Sequence, residues 1–392
     1  MNTPRSRAGT TRRGPLAGHA DLESVPHLDV DALIDDPATK IIVCTGSGGV
    51  GKTTTSAALA LRAAERGRKV VVLTIDPARR LAQSMGIEKL DNNPRPVPGL
   101  NEDGGGSLDA MMLDMKRTFD EVVESQASPE KAAQILNNPF YVALSSSFAG
   151  TQEYMAMEKL GQLHRDAERT GRWDLVVVDT PPSRSALDFL DAPERLSSFL
   201  DGRFIRILLA PAKGPARLMT AGLGVVTNAL TKILGAQVLK DMSMFVSAFD
   251  TLFGGFRQRA QKTFELLQAD GTAFLVVAAP EPDALREAAY FVERLEAERM
   301  PLAGLVVNRA TRLNLADVSG DQAAAAAEKL DGLAAGLLRL HADRTRVVAR
   351  EARLRQRFAA AHPQVPTTVV PALATDVHDL DGLRLVGELL AG

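Results

Sequence analysis

The chain has 392 residues, of which 45% are hydrophobic, and its 46 basic and 48 acidic side chains leave a formal net charge of −2. This length exceeds one ordinary domain, and it also fits a single large α/β unit with an inserted helical region. The charge balance gives no indication of a nucleic-acid partner or an anionic membrane. Cys44 is the only cysteine, which excludes an intramolecular disulfide and a multi-cysteine zinc site and is typical of a reducing compartment.

Residues 1–38 are predicted to form a flexible tail, because their start is rich in Arg, Gly, Pro and Ser and has no apolar signal-peptide core. The absence of acids before Asp21 also fits a transit peptide, and this alternative stays open. The longest uncharged run, Leu218 to Thr231, is shorter than the roughly twenty residues that span a bilayer. We therefore expect a cytoplasmic protein without a transmembrane segment, attached to a membrane only through a partner if at all.

The first predicted strand, Lys40–Cys44, runs into a glycine-rich loop and then into a predicted helix at Ser56–Arg62. The loop contains the phosphate-binding pattern G-x-x-x-x-G-K-T, from Gly46 to Thr53. Glycines let backbone N–H groups turn toward phosphate oxygens, and the start of the helix adds positive potential. Lys52 is predicted to reach the β- and γ-phosphates, and Thr53 to offer its hydroxyl to Mg²⁺. The motif in this context predicts a nucleoside triphosphate site.

Further short apolar runs, rich in Val, Ile and Leu, follow along the chain and are mostly separated by helical stretches. They lie at Val70–Ile75, Leu175–Asp179, Ala273–Ala278, Leu305–Asn308 and Thr367–Val370. This alternation is typical of parallel strands covered on both faces. The predicted fold is an α/β P-loop NTPase fold at residues 39–392, with a mostly parallel central sheet flanked by helices. Residues 116–270 are predicted to form an inserted α-helical subdomain, which a core strand and switch loop at 174–190 interrupt, and residues 320–361 a helical hairpin over the core.

Two carboxylates stand where predicted strands end, at the edge where α/β sheets bind ligands. Asp179 closes the run Val176–Asp179 and is placed to hold Mg²⁺ beside Thr53, directly or through water. Asp76 follows Val70–Ile75, where it can orient the attacking water or merely cap the next helix. The residues alone leave these two roles of Asp76 open.

Four motifs then occur in the order expected of one family. They are G-G-V-G-K-T-T at Gly48–Thr54, D-P-A-x-x-L at Asp76–Leu81, D-T-x-P at Asp179–Pro182 and V-V-N at Val306–Asn308. In these motifs the chain resembles the ArsA-like ATPases, which include arsenite-pump ATPases and the ATPases that target tail-anchored proteins. The resemblance runs from about Lys40 to the C-terminus and is nearest to the paired ArsA-like ATPases of actinobacteria. It implies a dimeric, Mg²⁺-dependent ATPase with a deviant Walker A motif, which couples ATP binding and hydrolysis to conformational change for a client protein or membrane partner.

The resemblance also implies roles for individual residues. Lys52 and Asp76 are expected to be catalytic, with Asp76 as the acid of switch I that activates water. Thr53 and Asp179, the acid of switch II, are expected to hold Mg²⁺. Asn308 is expected to hydrogen-bond the adenine while the loop at Pro371 closes over the base, although an ordinary turn residue at a strand end is the alternative for Asn308. The implied nucleotide-binding residues are Gly48, Gly49, Val50, Gly51, Lys52, Thr53, Thr54, Asn308 and Pro371.

Two departures from the family pattern bear on function. Family members place a lysine that reaches across the dimer where this chain has Ser47. Such a trans cation resembles an arginine finger, which is worth about 10³–10⁵ in rate, so we predict a heterodimer with a related ATPase that retains the lysine. Arg79, Arg80 and Arg184 are candidate substitutes for that lysine. The switch-II run Pro181–Ser185 also lacks the family's glycine, which removes a freely rotating N–H group.

Other functions stay open at this stage. One alternative is a nucleotide-sensing scaffold subunit with little or no turnover, and another is a positioning ATPase of the MinD/ParA type. The latter often carry a basic membrane tail or a DNA-binding face, whereas Leu380–Leu390 has mixed charge and two glycines. A helical stripe of apolar residues fits either a groove for an apolar client helix or, more commonly, a packed core. It consists of Met242, Phe245, Phe249, Leu252 and Phe256.

Overall fold

A computed structural model of the chain describes residues 25–76, 80–101, 104–139, 141–142, 145, 151–181, 255, 258–313 and 317–392. Several predictions fall outside these residues: the start of the tail, Arg79 and Arg184, switch II beyond Pro181, and the apolar stripe at 242–256. The described strands form one sheet. They are β1 (Ile41–Thr45), β2 (Lys69–Thr74), β3 (Arg95–Pro96), β4 (Ser107–Met112), β5 (Leu175–Asp179), β6 (Thr272–Ala278), β7 (Leu302–Ala310) and β8 (Thr367–Pro371).

The order across the sheet is β3–β4–β2–β5–β1–β6–β7–β8. Every neighbouring pair is parallel except β3 with β4. Strands β1, β5 and β6 are buried along their whole length, because helices cover both faces of the sheet. The predicted α/β fold with a mostly parallel sheet is confirmed. The strand prediction was incomplete, since it missed β3, which has two exposed residues, and β4, whose run Ser-Leu-Asp-Ala-Met-Met contains an internal acid.

Ten helices with defined bounds accompany this sheet in the described residues. They are α1 (Val30–Asp35), α2 (Lys52–Glu65), α3 (Arg80–Ser84), α4 (Met115–Gln126), α5 (Pro129–Leu136), α6 (Thr151–Thr170), α7 (Pro282–Ala297), α8 (Gly320–Ala327), α9 (Gly332–Ala361) and α10 (Leu380–Ala391). Helices α8 and α9 pack together as the predicted hairpin. Within the predicted insertion, α4, α5, α6 and residues 258–268 are helical, and their separation as a subdomain stays a prediction. Among the described helices, none is both long and apolar enough to cross a bilayer.

The helix that follows the phosphate loop, α2, lies at the centre of one layer. Its small residues, including six alanines and serines from Ser56 to Ala64, are buried, so other elements can approach it closely. Helix α10 packs on α2, and a Cβ added at Gly387 would lie 3.4 Å from Cβ of Arg62. Leu383, Val386 and Leu390 are buried in this contact region. These three side chains of α10 are therefore part of the packed core.

Helix α1 extends the ordered fold ahead of β1. Val30 and Ile34 are fully buried, and the Asp31 carboxylate accepts two hydrogen bonds from Arg62, at 2.6 and 2.7 Å. This bidentate pair with Arg62 lowers the pKa of Asp31. The tail predicted for residues 1–38 was therefore too long, because its last part is a packed helix.

Arg68 connects the segments that lead into three central strands, although its side chain is only 10% exposed. Its Nε donates to Oδ1 of Asp174 at 2.5 Å. Its two terminal nitrogens donate to the carbonyl oxygens of Ile34, Asp36, Thr39 and Asp174, at 2.8 to 3.0 Å. All five N–H donors of the guanidinium group are thus used. The contacts lie at the amino ends of β1, β2 and β5.

Candidate functional site

The predicted site residues meet at the carboxyl edge of the sheet, where β1, β2 and β5 end side by side. In the strand register, Asp179 pairs with both Cys44 of β1 and Thr74 of β2. The hydroxyl of Thr180 donates to the carbonyl oxygen of Cys44 at 2.8 Å and fastens the end of β5 to β1. The phosphate loop leaves β1 at this edge, as expected for ligand sites of parallel α/β sheets.

The phosphate loop requires glycine at Gly46 and Gly51, because a Cβ at either position would collide with a neighbouring strand. Gly46 has φ +150°, and a Cβ there would lie 2.0 Å from the carbonyl oxygen of Val277 on β6. Gly51 precedes α2 with φ +94°, in the left-handed region, and a Cβ there would lie 2.3 Å from Nδ2 of Asn308. Both substitutions would displace backbone or a hydrogen-bonded amide. The loop is consequently packed between β6 and β7.

The backbone N–H groups of the loop are available to an anion. From Gly48 to Thr54, none of them donates to an acceptor on the described residues. Thr55 makes the first helical bond, to the carbonyl oxygen of Gly51 at 2.9 Å. A row of such donors at the start of a buried helix is the arrangement that binds phosphate. The donor set therefore fits a phosphate group.

Lys52 lies inside the loop, with 5% of its surface exposed. Its Nζ donates to the carbonyl oxygen of Ser47 at 2.8 Å. Burial lowers the pKa of Lys52, while the negative charges of Asp179 and Asp76 act in the opposite direction. The ammonium group thus stands close to both acids and within reach of any group that the loop binds.

Asp179 is fully buried at the end of β5. Its Oδ2 accepts a hydrogen bond from the Thr74 hydroxyl at 2.9 Å, whereas Oδ1 has no hydrogen-bond partner among the described residues. Burial raises its pKa to about 6, and the hydroxyls of Thr53 and Thr74 and the charge of Lys52 oppose this rise. A buried carboxylate oxygen without a donor, next to a threonine hydroxyl, fits a Mg²⁺ site.

Asp76 lies half-buried just beyond β2, near enough for its charge to act on Lys52. Helix α3 does not begin until Arg80. Asp76 and Asp179 therefore stand at one edge of the sheet, near Lys52. The water-activating role of Asp76 stays a prediction.

Asn308 and Pro371 lie at the ends of the neighbouring strands β7 and β8. The strand register pairs Ala310 with Pro371, and the N–H of Ala372 donates to the carbonyl oxygen of Ala310 at 2.9 Å. The amide of Asn308 reaches the phosphate loop, where Nδ2 donates to the carbonyl oxygen of Val50 at 2.9 Å. Contacts of Asn308 and Pro371 with a base stay predictions.

Two polar residues of the site were missed in the sequence. The Thr74 hydroxyl donates a hydrogen bond to Asp179. Thr74 lies two positions before Asp76 at the end of a predicted strand, and this placement could have indicated a site residue. Arg309 donates from Nη1 to the carbonyl oxygen of Gly49 at 2.8 Å, and no local signal connects residues 260 positions apart. Ser47, by contrast, lies where the sequence predicted it, in the loop and half-buried.

The fold and this edge define a P-loop nucleotide-binding protein, with a phosphate loop on β1 and acids closing β2 and β5. The model of the anion-transporting ATPase family matches residues 39–323. The chain therefore belongs to that family.

The chain is also similar to curated relatives named as ATPases. ATPase GET3 of Kluyveromyces lactis is 27% identical over 290 residues, which are 72% of this chain and 75% of the relative. ATPase GET3 of Malassezia globosa is 31% identical over 168 residues, or 43% of this chain and 46% of the relative. The ASNA1 homologue of Cryptosporidium parvum, also an ATPase, is 27% identical over 290 residues, 74% of this chain and 70% of the relative.

Proposed function

We propose that this chain is a Mg²⁺-dependent enzyme that binds and hydrolyses ATP. The observation that carries the proposal is the buried Oδ1 of Asp179, which has no hydrogen-bond partner among the described residues and stands at the edge that holds the phosphate loop. A buried carboxylate oxygen in this state is unfavourable unless a ligand satisfies it. Membership in a family of ATPases supports ATP as the nucleotide.

The residues at the site have separable tasks in the proposed reaction. The N–H groups from Gly48 to Thr54 hold the phosphates, and Lys52 moves from the carbonyl oxygen of Ser47 to phosphate oxygens. Thr53 and Asp179 would hold Mg²⁺, which would supply positive charge to neutralise the phosphate oxygens. Asp76 orients the attacking water and accepts its hydrogen bond. The base lies between Asn308 and the chain after Pro371.

We propose further that the enzyme works as a heterodimer. Ser47 stands where a lysine would reach the partner's phosphates, and its short neutral side chain has no charge to offer across a dimer. A related ATPase that retains this lysine would complete the site of this chain. Hydrolysis would then change the conformation of the pair for a client protein or a membrane partner, in the cytoplasm that a single buried cysteine favours.

Phosphate release with Mg²⁺ and ATP tests this proposal, for the chain alone and mixed with candidate partner ATPases. We expect turnover that requires Mg²⁺ and rises with a lysine-bearing partner. Asp76→Asn should abolish turnover but keep ATP binding, and Lys52→Met should weaken binding itself. Tight ATP binding without turnover in every assembly would instead identify a nucleotide-sensing scaffold. Full turnover of the chain alone would refute the heterodimer.

A further inference from the structure

Strand β7 contains a bulge at the position where it meets the phosphate loop. Between Val307 and Ala310 it advances three residues while β8 advances two, from Val369 to Pro371. Arg309 occupies this bulge with φ +61°, in the left-handed region that non-glycine residues rarely adopt. Bulges next to functional sites redirect side chains, and residues with a strained backbone are concentrated at such sites.

The bulge directs two consecutive side chains at two consecutive peptide groups of the loop. Nη1 of Arg309 donates to the carbonyl oxygen of Gly49 at 2.8 Å, and Nδ2 of Asn308 donates to that of Val50 at 2.9 Å. The N–H of Arg309 in turn donates to Oδ1 of Asn308 at 2.9 Å, which fixes the amide. The two contacts hold both carbonyl groups toward β7.

The orientation of these carbonyl groups fixes the donors that phosphate needs. In a trans peptide the carbonyl oxygen and the following N–H point to opposite sides, and the described residues contain no cis peptide. With the carbonyl oxygens of Gly49 and Val50 held toward β7, the N–H groups of Val50 and Gly51 point the other way. Neither N–H donates to an acceptor on the described residues. The clamp therefore keeps two phosphate donors turned away from the strand.

We propose that Asn308 and Arg309 form a clamp that preorganises the phosphate loop, with Arg309 as a positioning residue. Asn308 then supports phosphate binding through its hydrogen bond to Val50, independently of any contact with the base. This inference deepens the proposed function and rests on it, since the bound anion is taken to be the phosphate chain of ATP. The clamp itself acts on the loop before any nucleotide arrives.

Inorganic tripolyphosphate separates the clamp from base recognition, because it has no base. Its affinity with Mg²⁺, and that of Mg·ATP, are measured by calorimetry for the wild type, Arg309→Gly and Asn308→Ala. Arg309→Gly suits the left-handed backbone and removes the side chain with its guanidinium group. We expect each variant to bind tripolyphosphate about fivefold to tenfold more weakly, the loss typical of one charge-assisted or buried hydrogen bond. For Arg309→Gly we expect the affinity for Mg·ATP to fall by the same factor.

Arg312→Gly is the matched control, because Arg312 is an exposed arginine three positions along the same chain segment. A general loss of positive charge would weaken binding in both arginine variants, whereas the clamp predicts an effect of Arg309→Gly alone. Thermal unfolding should show Arg309→Gly to be as stable as the wild type or more so, since strain is released. Arg309→Lys should restore part of the affinity. Unchanged tripolyphosphate affinity in both clamp variants would overturn the proposal.

Hydrogen exchange of a peptide covering the phosphate loop keeps the clamp testable without nucleotide. Faster exchange of the Thr55 amide, whose N–H donates to the carbonyl oxygen of Gly51 at 2.9 Å, is expected in Arg309→Gly and Asn308→Ala, and not in Arg312→Gly. If the wild type bound no ATP but exchange still increased, the proposed function would fail and the clamp would stand. If binding were normal and neither affinity nor exchange changed in the variants, the clamp alone would fail.

Discussion

Lys52 donates a hydrogen bond to the main-chain carbonyl oxygen of Ser47, with 2.8 Å between Nζ and the oxygen. The bond closes the loop on itself, so the ammonium group has a partner in the absence of phosphate oxygens. It uses only the backbone of Ser47. Replacing the side chain of Ser47 therefore tests function while the acceptor of this hydrogen bond stays in place.

Ser47→Lys should give the isolated chain a gain in turnover. In a homodimer each new lysine could reach the partner's phosphates, and we expect Mg²⁺-dependent ATPase activity to rise by about tenfold or more. Ser47→Met is the matched control, because it has similar length and no charge. Phosphate release at saturating ATP provides the measurement. Equal activity of the two variants would show that the missing cation does not limit this chain.

Asp179→Asn should stabilise the protein in the absence of Mg²⁺ at pH 8. The folded protein holds the proton of Asp179 up to a pH of about 6, whereas the ordinary pKa is 3.8, so stability falls as pH rises between these values and stays lower above them. The difference corresponds to about 3 kcal/mol. The asparagine keeps an acceptor for Thr74 and does not titrate.

Urea unfolding at pH 3.5 and pH 8 measures this effect. The stabilisation by Asp179→Asn should be present at pH 8 and small at pH 3.5, and added Mg·ATP should stabilise the wild type more than the variant. Asp283→Asn, at a side chain that is 87% exposed, controls for loss of a charge. A destabilised Asp179→Asn at pH 8 without Mg²⁺ would contradict the assignment.

Arg68→Lys should lower the free energy of unfolding by about 2–4 kcal/mol. Lysine keeps the charge but has three donors on one nitrogen, so it leaves several of the five acceptors around Arg68 without a bond. Arg66→Lys is the control, because Arg66 is 37% exposed and pairs with surface acids. Urea unfolding of both variants, with Mg·ATP affinity as a second measurement, checks the prediction. A loss equal to that of Arg66→Lys would argue against it.

Cys44 should resist thiol reagents in the folded protein. It is fully buried, and burial together with the charge of Asp179 raises the pKa of its thiol to about 12. The rate of labelling by a disulfide reagent should therefore follow the rate of unfolding. A cysteine placed at the exposed residue Ala372 in a Cys44→Ala background should react at once. Rapid labelling of the native wild type would contradict the buried position of β1.

The parts of this structure that the sequence predicted well depend on local patterns. Runs of β-branched residues predicted six of the seven described parallel strands, and the glycine spacing from Gly46 to Thr53 predicted the loop. Strand β4 was missed because Asp109 interrupts its apolar run. The Asp109 carboxylate accepts hydrogen bonds from Trp173 and Arg172, each at 2.8 Å and more than 60 positions away along the chain. Propensity carries no information on such a contact.

The clamp and Arg68 were missed for a related reason. Asn308 meets Val50 because the sheet order places β6 between β1 and β7, and 258 positions separate the two residues along the chain. Arg68 follows Gly67 at the end of a helix, where an arginine is ordinarily a surface residue. Its burial follows from the carbonyl groups that converge on it, which only the assembled sheet shows.

The contacts of Arg68 join three strands at their amino ends, whereas the candidate site lies at the opposite, carboxyl ends of the same strands. The segments entering β1, β2 and β5 share a single guanidinium anchor. The same strands terminate, five or six residues later, in the phosphate loop and the two acids. In the proposed ATPase we therefore expect movement to occur in the loops and helices beyond the strand ends, while the Arg68 contacts hold the amino ends of β1, β2 and β5 in place.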